Sequence, residues 1–168
     1  MGRKIITMKK LIIITLAIFV SVYVLAQEMD VYDTKANARA DIEKAVESAQ
    51  KEGKHVFLQI GGNWCPWCIK FHNFVEANTK LKSYMNENYE VVKVNYDREN
   101  KQEELLAKLG YPQRFGFPVF VVLDANGNRI HTQNSGFLEK DKSYDEERVL
   151  RFFKNWSPAA VDPLSYKK

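Results

Sequence analysis

Both cysteines of the chain fall in one five-residue run, Trp64-Cys65-Pro66-Trp67-Cys68. Two thiols at this spacing can form a disulfide, exchange it with another thiol pair, or hold half of a metal site. The flanks help to choose. Val56-Phe57-Leu58-Gln59-Ile60 reads as a buried strand ending in Gly61-Gly62-Asn63, and Ile69–Val75 reads as a helix. A Cys-x-x-Cys pair at a strand-to-helix junction points to thiol–disulfide exchange. There Cys65 is the helix cap and Pro66 the first helical residue, where a missing N–H costs nothing. The free N–H groups and the positive end of the helix dipole favour a thiolate on Cys65. Cys65 is then the attacking sulfur and Cys68, deeper in the helix, the resolving one. Attack by Cys65 on a substrate disulfide leaves a mixed disulfide, which Cys68 breaks.

Three other readings compete with exchange. A zinc site needs four ligands, so His55, His72 and His131 would have to complete it. The cysteines would be inert in a second reading. A Cys-His hydrolase is the third, and it leaves Cys68 without a role. Exchange is the reading taken, with no metal and no cofactor. Trp64 and Trp67 flank the pair, and one packed beneath with the other partly exposed would give an apolar surface for unfolded or peptide-like substrates. Tyr111, Phe115 and Phe117 are candidates to extend it, although plain packing is the better expectation for Tyr111.

The elements that must position this run lie within a chain whose N-terminus has a layout of its own. Arg3, Lys4, Lys9 and Lys10 precede an apolar run from Leu11 to Leu25, and Ala26 offers a small-residue cleavage site before Gln27. Residues 1–26 therefore read as a secretory signal peptide. The run is shorter than the ~20 apolar residues of a spanning helix, which favours cleavage over the alternative, an N-terminal membrane anchor. Met8 would serve equally as the start. Cleavage takes away four basic residues and no acidic ones, so 25 basic and 21 acidic residues become balanced and the formal charge of +4 disappears. Nothing then calls for nucleic acid or an anionic membrane. Two cysteines cannot build a disulfide framework, and a bridge between them closes too small a loop to stabilise much.

Residues 27–34 read as a loose lead-in, 35–156 as one domain and 157–168 as a polar C-terminal tail. From Lys35 to Lys51, Ala38, Ile42, Ala45, Val46 and Ala49 recur at helical spacing, and Gly53 ends that helix. The helix after the cysteines breaks near Asn78-Thr79, and a second piece carries Leu81, Tyr84 and Met85. Tyr89–Tyr96 is a strand, residues 101–109 a short helix stopped by Gly110, and Val119–Leu123 a strand introduced by Pro118. Asn126-Gly127 marks a hairpin returning through Arg129–Gln133 to Gly136. Ser143 and Glu146 fit a capping box for a helix with Val149, Leu150, Phe152, Phe153 and Trp156 on its packing face, stopped by Pro158. The helical crossover makes the first two strands parallel and the hairpin makes the last two antiparallel.

This order, with Trp-Cys-Pro-Trp-Cys and the later Phe117-Pro118, resembles the thioredoxin superfamily over about residues 35–156. Glu52-Gly53-Lys54 and the run from Tyr84 to Asn95 bring it nearest to exported thioredoxin-like domains. The resemblance implies an α/β thioredoxin-like fold, a mixed central β-sheet flanked by helices on both faces. It implies that Pro118 is a cis-proline beside the cysteines and that the Phe117 backbone pairs with an extended substrate; an ordinary trans-proline at a strand start is the alternative. Substrate-binding residues would be Trp64, Trp67, Phe117 and Pro118.

Four positions depart from the family pattern or depend on it. Gln59 stands where many thioredoxins carry a buried aspartate, and an amide cannot take the resolving thiol's proton. Lys93 aligns with a lysine near that aspartate, and is either a surface residue or one that tunes the thiols electrostatically. Pro66-Trp67 differs from the dipeptides of thioredoxins, bacterial oxidants and disulfide isomerases. Gln59, Lys93 and Pro66 are thus the redox-tuning candidates. The implied function is exported, most naturally periplasmic, exchange with protein or peptide thiols and disulfides. The reductase or isomerase-like direction is favoured, with a membrane electron donor. The alternative is a thioredoxin-fold binding module whose cysteine pair is structural.

Overall fold

The computed structural model describes residues 30–167. The segment expected to be a signal peptide, with its expected cleavage site, lies outside the described residues. No helix among those described is long and apolar enough to cross a membrane.

The first helix among the described residues, α1, spans Ala38–Glu52, with the Asn37 side chain accepting from the Ala40 N–H and Gly53 ending it in the left-handed region at φ 66°. Strand β1 follows at His55–Gly61 and is buried along its whole length. Helix α2 spans Pro66–Ala77 and α3 spans Thr79–Asn88. Asn78 separates them, its backbone capping the end of α2 and its side chain accepting from the Leu81 N–H to start α3. Then come β2 at Tyr89–Asn95, a short α4 at Glu103–Lys108, β3 at Val119–Leu123 and β4 at Arg129–Asn134.

These four strands form one sheet in the order β2-β1-β3-β4. The pair β1–β2 is parallel, while β1–β3 and β3–β4 are antiparallel, as the crossover and hairpin require. This is the expected thioredoxin-like architecture. Strand parity divides the core into two. Val56, Leu58 and Ile60 face one side with Val92, Val94, Val119, Val121 and the buried face of α1. Phe57 faces the other, with Phe71, Val75, Phe120, Val122 and the aromatic face of the helix Glu146–Asn155, α5. Gln59 and Gly61 share the parity of Phe57, so they lie under α2, the helix that carries the cysteines.

Several local expectations change. The cap of α5 is Asp145, whose carboxylate accepts from the Arg148 N–H at 3.0 Å. Ser143 instead lies in β6, Ser143–Tyr144, paired with β5, Glu139–Lys140, in a two-stranded ribbon that the sequence did not announce. Pro158 does not stop α5. That helix ends at Asn155, and Pro158 opens the short α6, Pro158–Val161, followed by a 3-10 turn at Pro163–Tyr166. The tail is therefore folded back into turns. Gly136 sits within a 3-10 turn, Ser135–Leu138, after β4 has already ended. In the hairpin only Gly127 takes positive φ, and the Asp124 carboxylate organises the loop by accepting from the N–H groups of Asn126 and Asn128. The lead-in is not loose throughout, because Tyr32 is completely buried.

Candidate functional site

Cys65 has extended backbone angles and caps α2, with Pro66 in its first turn. Its sulfur accepts the Cys68 N–H at 3.2 Å, and it is joined to Cys68 as a disulfide. Cys65 is 4% exposed and Cys68 0%, so what little access the pair has belongs to Cys65. Pro66 is exposed at the rim.

Beneath the disulfide the polar groups form a connected chain. Gln59 is fully buried, yet every part of its amide is satisfied. Its Nε2 donates to the Tyr32 hydroxyl at 2.7 Å and to the Cys68 carbonyl at 3.0 Å, while its Oε1 accepts from Lys93 Nζ. The sheet register explains the last contact: Gln59 and Lys93 are direct partners across β1 and β2. Lys93 is therefore half-buried and committed to the site, not free on the surface. Burial holds its ammonium down to about 8, against a weaker upward pull from Glu76. A small cavity of about 100 Å³ lies here, bordered by Gln59, Lys93, His72 and Glu76. His72 is also held below its usual value, first by burial and then by the Lys93 charge.

Tyr32 is the residue that sequence reasoning missed. It packs directly with the two cysteines, and Val31, Trp67, Ile69 and Phe117 surround that cluster. Asn63 clamps its backbone from both sides, accepting the Tyr32 N–H at 3.0 Å and donating to the Tyr32 carbonyl at 2.8 Å. Burial raises the phenol far above its ordinary range, opposed only by the Gln59 hydrogen bond. A single aromatic residue in a polar segment carries no periodicity, so nothing local marked it.

The two tryptophans take different positions, one exposed and one turned inward. Trp64 is 55% exposed; its Nε1 donates to the Tyr96 carbonyl at 2.7 Å and its ring meets Phe117 edge-on at 5.5 Å. Trp67 turns inward, edge-on to Tyr144 at 5.5 Å, with Lys70 over its ring. Phe117 is half-buried between Trp64 and Tyr96, and the Phe117–Pro118 peptide is cis. An open groove of about 720 Å³ runs past Trp64 and Tyr96 to Asp97, Arg98 and Lys101. Tyr111 is 58% exposed and so is not a packing residue; Phe115 is also exposed. His55 and His131 both meet Trp156, the first through its carbonyl and the second by ring stacking, well apart from His72 in its cavity.

A sheet of this order with a cysteine pair capping the helix after its central strand defines the thioredoxin class of fold. The chain belongs to the thioredoxin-like family, whose pattern it matches over residues 37–125. It is 27% identical over 96 residues to the disulfide bond reductase DsbH of Chlamydia pneumoniae, a match covering 52% of this chain and 56% of that one. The chain thus spans about half the length of that curated relative. Among solved structures it resembles a disulphide isomerase from Xylella fastidiosa Temecula1, with a TM-score of 0.67 and 26% identity over 74% of this chain and 95% of the other. A thioredoxin from Thermus thermophilus shares the fold, with a TM-score of 0.50 and 21% identity over 67% of this chain and 81% of the other.

Proposed function

We propose that this protein is an exported thiol–disulfide oxidoreductase acting on protein or peptide disulfides through Cys65 and Cys68. The observation that carries the reading is the cysteine pair at the start of α2, capped by Cys65 and packed against Phe117. In the dithiol form the unpaired N–H groups and the dipole of α2 stabilise negative charge on Cys65, which makes it the nucleophile. Attack breaks the substrate S–S bond, forms a Cys65–substrate disulfide and releases one substrate thiolate. Cys68 then attacks Cys65, which releases the second substrate thiol and leaves the Cys65–Cys68 disulfide. Trp64 supplies an exposed apolar platform beside the cysteines, and the likeness to thioredoxins assigns the Phe117 backbone the contact with an extended substrate.

The reductase or isomerase-like direction is favoured, and the names carried by the Chlamydia and Xylella relatives support it. Working in that direction outside the cytoplasm requires a membrane thiol donor to return the pair to the dithiol state. The basic and apolar residues 1–26 support export, with periplasmic release near Ala26.

The test is reduction of insulin disulfides by the dithiol protein, together with trapping of mixed disulfides by Cys68→Ala in cell envelopes. Turnover that Cys65→Ala abolishes, and covalent partners released by reductant, are the expected results. No reduction and no trapped partner, with partner binding intact in Cys65→Ala, would make the protein a binding module instead.

A further inference from the structure

Tyr32 lies deeper in the site than any role described so far explains. A Cβ placed on Gly61 would come within 2.4 Å of the Cys68 sulfur and 2.9 Å of the Tyr32 hydroxyl, so oxygen and sulfur crowd the same small space over β1. That oxygen accepts from Gln59, and among the described residues no acceptor takes its proton. The polarity runs one way: Lys93 donates to Gln59, and Gln59 donates to Tyr32. One further step in that direction ends on Cys68.

We infer that Tyr32 serves the resolving cysteine: when the Cys65–Cys68 bond opens, its hydroxyl donates to the Cys68 sulfur and holds it as the thiolate that attacks the mixed disulfide. The inference rests on the exchange chemistry proposed above. It answers the difficulty raised by Gln59, which has no carboxylate to take the Cys68 proton. Here the proton leaves to solvent and the anion is stabilised by a donor, so no protein base is needed. In the step itself Cys68 sulfur bonds to Cys65 sulfur, and the substrate leaves as a thiolate that solvent protonates. Electrons balance within the three sulfurs. The burial that raises the phenol keeps it protonated, as a donor must be. The other titratable groups around Cys68 are Cys65, Lys93 behind Gln59 with His72 and Glu76 across the small cavity, and Tyr144, bonded to the Trp67 carbonyl.

The experiment titrates the single thiol of Cys65→Ala by its ultraviolet thiolate absorbance, with and without Tyr32→Phe, which keeps the ring and removes only the oxygen. Tyr32→Phe should raise the Cys68 midpoint by about one pH unit, and slow resolution of a preformed mixed disulfide about three- to fourfold near neutral pH in the two-cysteine protein, because the less acidic thiolate is also the better nucleophile. Asn63→Ala, which frees the clamped backbone, should move the midpoint the same way by less. A melting curve checks that each variant folds. An unchanged midpoint in folded Tyr32→Phe, or in Asn63→Ala should the first not fold, overturns the inference. Loss of insulin reduction in the unaltered protein would sink the exchange reading alone, because the single-thiol titration needs no turnover.

Discussion

Replacing Gly61 by alanine tests the site with one methyl group. Gly61 has no positive φ, so alanine suits its backbone and the effect comes from crowding alone. The new carbon would sit 2.4 Å from the Cys68 sulfur, where ordinary contact is about 3.5–4.0 Å. The sulfur must therefore move by more than about 1 Å while bonded to Cys65. The other near neighbour, the Tyr32 hydroxyl at 2.9 Å, is held by Gln59 and by the Asn63 clamp. Overpacking of a tight core costs about 1–3 kcal/mol, and two constrained neighbours put this case near 2–3 kcal/mol. At this domain size that is a fall in Tm of about 8–12 °C for the disulfide form. In the dithiol form the sulfur is free to rotate away, so its share of the penalty falls on the disulfide form alone, while the Tyr32 hydroxyl at 2.9 Å and the Cys68 Cβ at 3.3 Å crowd both forms. Each ~1.4 kcal/mol of difference raises the reduction potential by about 30 mV. We expect Gly61→Ala to be more oxidising by about 20–30 mV, the sulfur's share of the penalty, read from equilibrium with glutathione by alkylation gel shift. Gly53→Ala is the control. Its site is open but needs φ 66°, so it should lose about 1 kcal/mol and leave the potential alone. An unaltered Tm and potential in Gly61→Ala would refute the placement of the sulfur over β1.

Asp145→Ala should cost about 1 kcal/mol in urea unfolding by removing the cap of α5, whereas Ser143→Ala should stay within about 0.5 kcal/mol. Lys93 titrates near 8 in the folded protein and near 10.5 when unfolded, so between these values the unfolded chain binds more protons. Stability should accordingly rise with pH across that window, by about 1–2 kcal/mol given the partial exposure of the side chain, and Lys93→Met should abolish that rise in denaturant titrations. His131, stacked on Trp156, is held by burial below its usual 6.5. The unfolded state therefore takes up the proton first, and stability should fall as pH drops through about 6.5. His131→Phe keeps the stacking and should shrink that loss.

Strand parity explains how far the site could be read before its geometry was known. Once Val56–Ile60 is a strand and Cys65 caps the next helix, alternation puts Phe57, Gln59 and Gly61 on the face that α2 covers. Gln59 under the cysteines is thus a consequence of period two, and was legible as a departure from an acid. Its partner required more, because Lys93 reaches it through the parallel register of β1 and β2, which pairs residues 34 apart. A one-residue slip would have turned Lys93 to the opposite face of the sheet. Ser143 shows the converse failure. The capping-box spacing was present, but pairing with β5 drew Ser143 into a ribbon, and Asp145 supplied the acceptor two residues later. Tyr32 had no local signal at all, since its burial comes from Gln59, 27 residues away, and Asn63, 31 away. Parity and helix capping set two sides of the disulfide's surroundings, and both follow from short-range periodicity. The third side is closed by a segment with no periodicity. For that reason the reaction class could be read from Cys-Pro-Trp-Cys, whereas the group that stabilises its second sulfur required the folded geometry.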